Sequence, residues 1–487
     1  MRTLRRVLIA IAATLGLAGA VTGLVVAVRE VRRSGSRVLV ERVRRARRIA
    51  YLGARRWVAH LRLQHGEPTP EQLDEFHLHT AEQVFELLGG MKGVVMKLGQ
   101  LASVIGDALP DAYAESLRGL QQQAPPMAGH LVADVVQREL GGPPERVFYE
   151  FSHEPVAAAS IGQVHKAELF DGTPVAVKLQ YPGIDVAIRA DLDNAFLLYN
   201  AVRMMAPGIE PGPMVDELRA RMLEEIDYRL EAANQAEFAA AYAGHPWIRI
   251  PAVYPDLSTS RLLVTEWVTG RSFYDVLDES QEARDRIGEQ LYRFWAGSVV
   301  RLRLFNGDPH PGNYFMGDGV ICFLDFGLVK RFDEGDVRGL REQIVALRSG
   351  DPDAVHETMI DHGWAKPDAP IDPRRAKALA ELINLAILHD EPFTFTREHV
   401  REVVEATMGI MGPYGDVVRN VTFPPNQMIL NRMQIGLMAL LARLGATANW
   451  AAIMDEYLFD APPSTELGRE AAAWPIAAAS SGGAGTG

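Results

Sequence analysis

The chain has 487 residues, 48% hydrophobic and 23% charged, which is ordinary globular composition with enough apolar material for a two-lobed core. Its single cysteine, Cys322, excludes a disulfide framework and a cysteine-rich metal site. The net charge of −12 hides an asymmetry, because residues 1–62 carry +13 and the remaining chain therefore −25. A basic end on an acidic body argues against nucleic acid as the main partner and favours a membrane surface.

The first predicted element is a transmembrane helix. Val7–Val28 contains 22 residues without a charge, enough to cross a hydrocarbon core of about 30 Å. Twelve arginines follow in Arg29–Arg62, so the positive-inside rule predicts a single-pass protein of the cell membrane with its body in the cytoplasm. A cleaved signal peptide is the alternative, since Ala18-Gly19-Ala20 resembles a cleavage site.

Hydrophobic periodicity and turn residues divide the chain into six predicted segments. They are a membrane anchor (1–28), a basic juxtamembrane helix and linker (29–70), a helical extension (71–130), a strand-rich lobe (131–268), a mostly helical lobe (269–460) and a disordered tail rich in Ala, Gly and Ser (461–487).

The strand-rich lobe holds the clearest local signals. Predicted strands are Val147–Phe151, Gly162–Leu169, Pro174–Leu179 and Arg261–Trp267, and a helix is predicted from Pro213 to about Tyr242. The turn Asp171-Gly172 predicts a hairpin between the second and third strands. In the helical lobe, Met428–Arg443 is predicted to be a buried helix rather than a membrane span.

Four short patterns occur in the order found in protein kinases. The apolar strand Val175–Lys178 ends in a cation that could reach nucleotide phosphates, and the acidic helix Leu223–Gln235 follows it. On that helix Asp227 and Glu231 lie four residues apart and are expected to share a face, from which a carboxylate could pair with Lys178.

The other two patterns predict a catalytic loop and a metal ligand. Asp308 and Asn313 have the five-residue spacing of a kinase catalytic loop, although Asn306-Gly307 replaces the usual His-Arg. The D-F-G sequence at Asp325 follows a predicted strand. Together, the four patterns predict an α+β, protein-kinase-like two-lobed fold.

Three further motifs make the chain resemble the UbiB/ADCK/AarF family of atypical kinases, over about residues 80–450. A K-x-G-Q motif stands at Lys97–Gln100, and an alanine-rich segment replaces the glycine-rich loop at Ala157, Ala158, Ala159 and Ser160. An E-x-D motif stands at Glu225 and Asp227, with Leu230 where the family often has Arg.

The resemblance implies a role for each matched residue. Lys178 and Glu231 would form an ion pair, Asn313 and Asp325 would bind Mg²⁺, and Asp308 would sit where a catalytic base sits. The K-x-G-Q segment would fold over the site, so that Lys97 and Gln100 meet Glu225 and Asp227. The nucleotide-binding candidates are Ala157, Ala158, Ala159, Ser160 and Lys178, joined by Glu266 and Val268 near the expected lobe hinge.

The expected function is that of a membrane-associated atypical kinase or ATPase that uses ATP and Mg²⁺. The family's link to isoprenoid quinones suggests a small or lipid-like acceptor and biosynthetic protein partners. One alternative is a pseudokinase that acts as a nucleotide-dependent switch or scaffold. Another is a small-molecule kinase of the aminoglycoside and choline type, whose loop resembles Asn306–Asn313 although those enzymes lack K-x-G-Q.

Overall fold

The computed structural model describes residues 127–159, 161–193, 219, 222–408, 412–422 and 425–474. Several predicted features lie outside the described residues: the anchor Val7–Val28, the basic segment 29–70, Lys97, Gln100 and Ser160. Among the helices that are described, none is both long enough and apolar enough to cross a membrane.

The first half of the described chain is built around an antiparallel sheet. Its elements are α1 Gly129–Leu140, α2 Pro144–Val147, β1 Glu150–Phe151, β2 Ala157–Ala159, β3 Gly162–Glu168, β4 Pro174–Gln180, α3 Ile184–Asp193, α4 Tyr228–Ala241, β5 Ile248–Arg249 and β6 Leu262–Glu266. The sheet order is β1-β3-β4-β6, and β2 also pairs with β3. The predicted strand at Val147–Phe151 is shorter than expected, because Pro144 begins a helical turn that ends at Val147.

The hairpin between β3 and β4 has the predicted turn. Gly172 has a φ of 84°, which is costly for residues with a Cβ. The Asp171 carboxylate accepts the backbone N–H of Thr173 at 2.9 Å and so fixes the turn. The register that follows sets Lys178 of β4 opposite Val164 of β3.

Strand β4 presents two different faces. Val175, Val177 and Leu179 are fully buried in a core that they share with α1. Successive strand residues point to opposite sides of a sheet, so Lys178 projects from the other face. Burial of the three apolar side chains therefore fixes the direction of the lysine.

The helix predicted from Pro213 to about Tyr242 is interrupted, because residues 222–225 are helical and α4 begins anew at Tyr228. Asp227 is its N-cap, with a φ of −122°, and its carboxylate accepts the backbone N–H of Arg229 at 3.1 Å. The expectation that Asp227 and Glu231 share a helical face is therefore wrong, since Asp227 lies outside the helix. The physical reason is that an Asp side chain satisfies a helix-start N–H group better than it serves inside a helix.

The second half of the described chain is mostly helical. Its strands are β7 Arg271–Ser272, β8 Leu304–Asn306, β9 Tyr314–Gly317, β10 Val320–Phe323, β11 Val329–Arg331, β12 Phe393–Thr394 and β13 Thr447–Ala448. Its α-helices are α5 Gln281–Gly297, α6 Glu334–Ser349, α7 Pro352–Asp361, α8 Pro373–Leu388, α9 Arg397–Met408, α10 Gly415–Val418, α11 Pro425–Leu444, α12 Trp450–Leu458 and α13 Glu466–Ala473.

These elements surround one large core. Strands β5-β10-β9-β7 form one sheet, and β8 pairs with β11 in a two-stranded ribbon. Helix α11 contributes buried Leu437, Leu441 and Leu444 to the core, which confirms that Met428–Arg443 belongs to a buried helix. Cys322 is buried in β10, and burial raises the pKa of its thiol to about 12.

The described part of the tail that was predicted to be disordered contains a helix. Helix α13 begins after Thr465, whose hydroxyl accepts the backbone N–H of Gly468 at 3.0 Å, and Leu467 is 2% exposed. The Ala-rich composition did not indicate helix α13. The helix is held in place by a few polar and apolar side chains that contact residues distant in sequence. The prediction of disorder from residue 461 is wrong for 461–474.

Candidate nucleotide-binding and catalytic site

Lys178 forms the predicted ion pair with Glu231. Its Nζ atom lies 2.6 Å from a carboxylate oxygen of Glu231 and 3.7 Å from one of Asp325. Burial alone would lower the pKa of Lys178, but the two carboxylates outweigh it and hold that pKa well above its ordinary value. The lysine therefore stays protonated and can attract an anionic ligand.

Glu231 lies in the first turn of α4 and is 6% exposed. Burial raises the pKa of its carboxyl to about 7, Lys178 opposes that rise, and the nearby Asp325 adds to it. When both carboxyls are ionised, the three side chains hold one more negative than positive charge, with Glu231 buried and Asp325 partly exposed. A divalent cation beside Asp325 would relieve this excess.

The predicted catalytic loop is tied to the D-F-G segment by backbone contacts. The Asn313 side-chain amide donates to the carbonyl of Asp308 at 3.2 Å, and the Asn313 carbonyl accepts the N–H of Leu324 at 3.0 Å. Asp308 and Asp325 both act on Tyr314, whose pKa is raised chiefly by burial and further by these carboxylates. The structure thus brings Asp308, Asn313 and Asp325 into one neighbourhood.

Asn306 is a site residue whose role sequence reasoning missed. Its amide donates to the carbonyl of Asp325 at 2.8 Å, and its side-chain oxygen accepts the N–H of Asp308 at 3.2 Å. The Asn306 side chain therefore fixes the positions of Asp308 and Asp325 relative to each other. Gly307 is required beside it, because a Cβ there would come within 2.5 Å of Leu328. The sequence did contain a signal for this role, because Asn306-Gly307 replaces the His-Arg that usually precedes the catalytic Asp.

The D-F-G segment is also tied to α4. The Asp325 carboxylate accepts the N–H of Gly327 at 2.9 Å, and fully buried Phe326 packs on Phe238 with ring centroids 4.9 Å apart. The Asn234 amide donates to the Phe326 carbonyl at 3.1 Å. Asn234 was not predicted as a site residue, although it stands three residues after Glu231 on α4.

The donor set suits Mg²⁺ bound together with phosphates. Among the described residues, no group of three or more His, Cys, Asp or Glu side chains could hold a metal ion. Asn313 and Asp325 would supply two hard oxygen ligands, and Mg²⁺ commonly takes few protein ligands beside substrate phosphates and water. The Asn313 amide nitrogen is engaged with Asp308, which orients its oxygen as the atom available to a metal.

The alanine-rich segment forms a strand. Ala157, Ala158 and Ala159 form β2 and pair with Val164, Gln163 and Gly162 of β3. Ala157 and Ala158 are exposed, so the pairing leaves one side of the strand open. Backbone pairing and the alanine Cβ atoms both restrict the φ and ψ angles that a glycine-rich loop would retain.

The hinge candidates differ in what they can offer to an adenine ring. The backbone N–H of Glu266 already donates to the Ala252 carbonyl at 2.8 Å, and its carboxylate contacts Arg249. A contact from Glu266 would therefore have to use its carbonyl. Val268 follows the strand end and is 9% exposed.

The E-x-D carboxylates adjoin the site, whereas the K-x-G-Q residues lie outside the described part. Glu225 is half-buried and is among the groups that raise the pKa of Glu231 and of Tyr228, in each case after the larger effect of burial. Asp227 caps α4. The expected contacts of Lys97 and Gln100 with these carboxylates stay a prediction.

Known proteins are similar to this chain in sequence. The sequence profile of the ABC1 atypical kinase-like domain matches residues 119–359. A probable protein kinase UbiB from Sodalis glossinidius is 32% identical over 289 residues, which are 57% of this chain and 53% of that protein. The mitochondrial atypical kinase COQ8 of Saccharomyces cerevisiae is 28% identical over 377 residues, 75% of this chain and 74% of that protein.

A solved structure extends the similarity to the fold. The complex of Rv3197 with erythromycin from Mycobacterium tuberculosis has a TM-score of 0.59 and 33% identity, covering 80% of this chain and 97% of that chain. The chain belongs to the ABC1, or UbiB/ADCK/AarF, family of atypical kinase-like proteins. The predicted family and the mixed helix-and-sheet, kinase-like fold are confirmed, and membership implies kinase- or ATPase-like use of ATP and Mg²⁺ in general.

The similarity does not extend over the whole of many relatives. The chain spans about half the length of the curated relatives that it matches, with 38%, 44% and 54% covered in three of them.

Proposed function

We propose that this protein binds MgATP between the alanine-rich strand and the D-F-G segment and acts there as an atypical kinase or ATPase. The observation that carries the proposal is the ammonium of Lys178, held at 2.6 Å from Glu231 and 3.7 Å from Asp325. A protonated lysine on a rigid strand, beside a metal-ligating carboxylate, is what phosphoryl transfer requires.

Each side chain then has one task. Lys178 binds phosphate oxygens, and Glu231 keeps its ammonium in place. Asn313 and Asp325 hold Mg²⁺, which when bound neutralises charge on the phosphates. Asp308 orients an acceptor hydroxyl or water and accepts its proton.

The proposed acceptor is small or lipid-like rather than a general protein substrate. The alanine-rich strand is paired with β3 and is stiffer than a glycine-rich loop, and the K-x-G-Q extension is expected to cover the groove where a protein acceptor would bind. The names of the UbiB and COQ8 relatives agree with a role in ubiquinone or related isoprenoid metabolism, with biosynthetic proteins as partners. The apolar segment Val7–Val28 and its flanking arginines would hold the protein at the membrane.

The test is Mg²⁺-dependent ATP turnover by the full chain, with and without anionic liposomes. Asp325→Asn removes a charge from the metal site, and we expect turnover to fall at least 100-fold, as for loss of a charged transition-state contact. Asp278→Asn is the matched control, because Asp278 is an exposed aspartate of the C-terminal half.

The outcomes separate the candidate functions. Turnover that rises with liposomes and disappears in Asp325→Asn supports a kinase or ATPase at the membrane. MgATP binding without turnover under any lipid condition would favour a nucleotide-dependent switch. Efficient phosphorylation of aminoglycosides or choline would favour the small-molecule kinase, and strong phosphorylation of a generic protein substrate would contradict the proposed acceptor class.

A further inference from the structure

The ring of Tyr228 lies beside the ammonium of Lys178. The Nζ atom is 5.1 Å from the ring centroid, within the range of a cation–π interaction. Tyr228 is 2% exposed, so water does not screen this attraction. The ammonium therefore meets Glu231, Asp325 and an aromatic ring.

Backbone hydrogen bonds fix the position of Tyr228 relative to β4, the strand that carries Lys178. Tyr228 is the first residue of α4, and its N–H donates to the Ser260 carbonyl at 2.9 Å. The side-chain amide of Gln180 donates to the same carbonyl at 3.2 Å and to that of Ile226 at 3.0 Å. Gln180 stands two residues after Lys178 on β4, so both side chains project from the same face of the sheet.

The ring of Tyr228, rather than its hydroxyl, makes the contact with the ammonium. The hydroxyl is buried and has no hydrogen-bond partner among the described residues. The ring face lies over Nζ of Lys178.

We propose that Tyr228 is a positioning residue, whose ring face holds the ammonium of Lys178 against Glu231 and Asp325 so that it meets the nucleotide phosphates in one place. This inference rests on the proposed function. The negative face of the ring attracts the cation without adding a further buried charge, and its rigid geometry costs little entropy. A third carboxylate in its place would increase the excess negative charge of the site.

The first test compares Tyr228→Leu with Tyr228→Phe in the full chain. Loss of the ring should weaken MgATP binding roughly 5- to 30-fold, the range expected for a desolvated cation–π contact. Tyr228→Phe keeps the ring face, so it should bind MgATP within about two-fold of wild type.

A second measurement needs no nucleotide. The pH dependence of Lys178 acylation by an amine-reactive reagent, followed by mass spectrometry, reports the proton affinity of that amine. Removing the ring destabilises the charged form, so acylation should begin at lower pH in Tyr228→Leu and be unchanged in Tyr228→Phe. A purely structural role for Tyr228 would not separate the two variants in this way.

A third measurement decides the matter if Tyr228→Leu does not fold. Phenylalanines with increasing numbers of ring fluorines at position 228 keep the shape nearly constant while weakening the negative ring face. The logarithm of MgATP affinity should fall steadily along the series. Equal affinity across it, or equal losses in Tyr228→Phe and Tyr228→Leu, would overturn the inference.

The two proposals fail in different ways. A wild-type protein that binds no MgATP would defeat the proposed function, whereas the acylation profiles would still test the contact between Tyr228 and Lys178. Normal MgATP binding together with identical acylation profiles for wild type and Tyr228→Leu would defeat only the inference.

Discussion

Arg293→Met should cost far more stability than the removal of an exposed arginine from the same helix. Arg293 has a side chain that is 1% exposed and makes paired hydrogen bonds of 2.7 and 2.9 Å to Glu456, which is 5% exposed. Its Nε atom also donates to Glu289 at 2.6 Å. Replacing the guanidinium leaves the buried carboxylate of Glu456 and the largely buried one of Glu289 without their cation, which costs about 3–5 kcal/mol.

Arg286→Met is the matched control. Arg286 lies on α5 as well and also faces the tail, through Glu470 at 3.7 Å, but the two side chains are 40% and 37% exposed. Such a surface pair contributes about 0–1 kcal/mol. In Arg293→Met/Glu456→Met part of the loss should be recovered, because Glu456 no longer leaves a buried charge while Glu289 stays without its cation.

The assay combines urea unfolding with trypsin cleavage after Arg469. Arg469 is in α13, which Arg293 anchors through the Thr465 hydroxyl at 2.9 Å, so cleavage requires local opening of the tail. We expect rapid cleavage in Arg293→Met and slow cleavage in Arg286→Met. Equal stability and equal cleavage in the two variants would refute the argument that this buried pair holds the tail.

Two further predictions concern single residues. Burial lowers the pKa of His245 to about 4, and its Nδ1 accepts the N–H of Ile248 at 3.1 Å, so the stability it contributes is complete above pH 6.5 and is lost as the pH falls toward 4. At pH 5 unfolding should be easier by roughly 1–2 kcal/mol, and His245→Asn, which keeps an acceptor but cannot titrate, should flatten the pH dependence of the melting temperature. Gly162→Ala should lower stability by about 1–3 kcal/mol and weaken MgATP binding, because its Cβ would meet the Leu179 carbonyl at 2.0 Å. The control Gly142→Ala, whose nearest contact is at 3.6 Å, should change neither urea stability nor MgATP affinity measured by titration.

Local rules predicted those parts of the site that depend on local geometry. The Asp171-Gly172 turn and the alternation of buried and less buried side chains along β4 are enough to predict that Lys178 points away from the core. The spacing of Asp308 and Asn313 identified a loop whose own side chain and backbone hold it together. Such features can be read from neighbouring residues because their partners lie within a few positions.

The errors arose where a partner lies far away in sequence. The spacing of Asp227 and Glu231 suggested that Asp227 is helical. In the structure, however, the Ile226 carbonyl accepts a hydrogen bond from Gln180 at the end of β4. The tail looks disordered by composition, but Ser464 donates to the buried carboxylate of Glu456 at 2.6 Å. A sequence pattern carries no signal for either contact, because each depends on which segments meet in the folded chain.

Such distant contacts determine where Glu231 stands. At the start of α4, Gln180 and Ser260 bind the backbone, and further along the helix Asn234 binds the carbonyl of Phe326. At its end, Trp474 stacks on Tyr242 with rings 5.9 Å apart and 2° from parallel, and donates to the Ala243 carbonyl at 3.0 Å. Because four separate segments hold α4, a change in any of them should alter the ion pair with Lys178. The tail is therefore part of what keeps the site assembled, even though it lies more than 130 residues after the D-F-G segment in sequence.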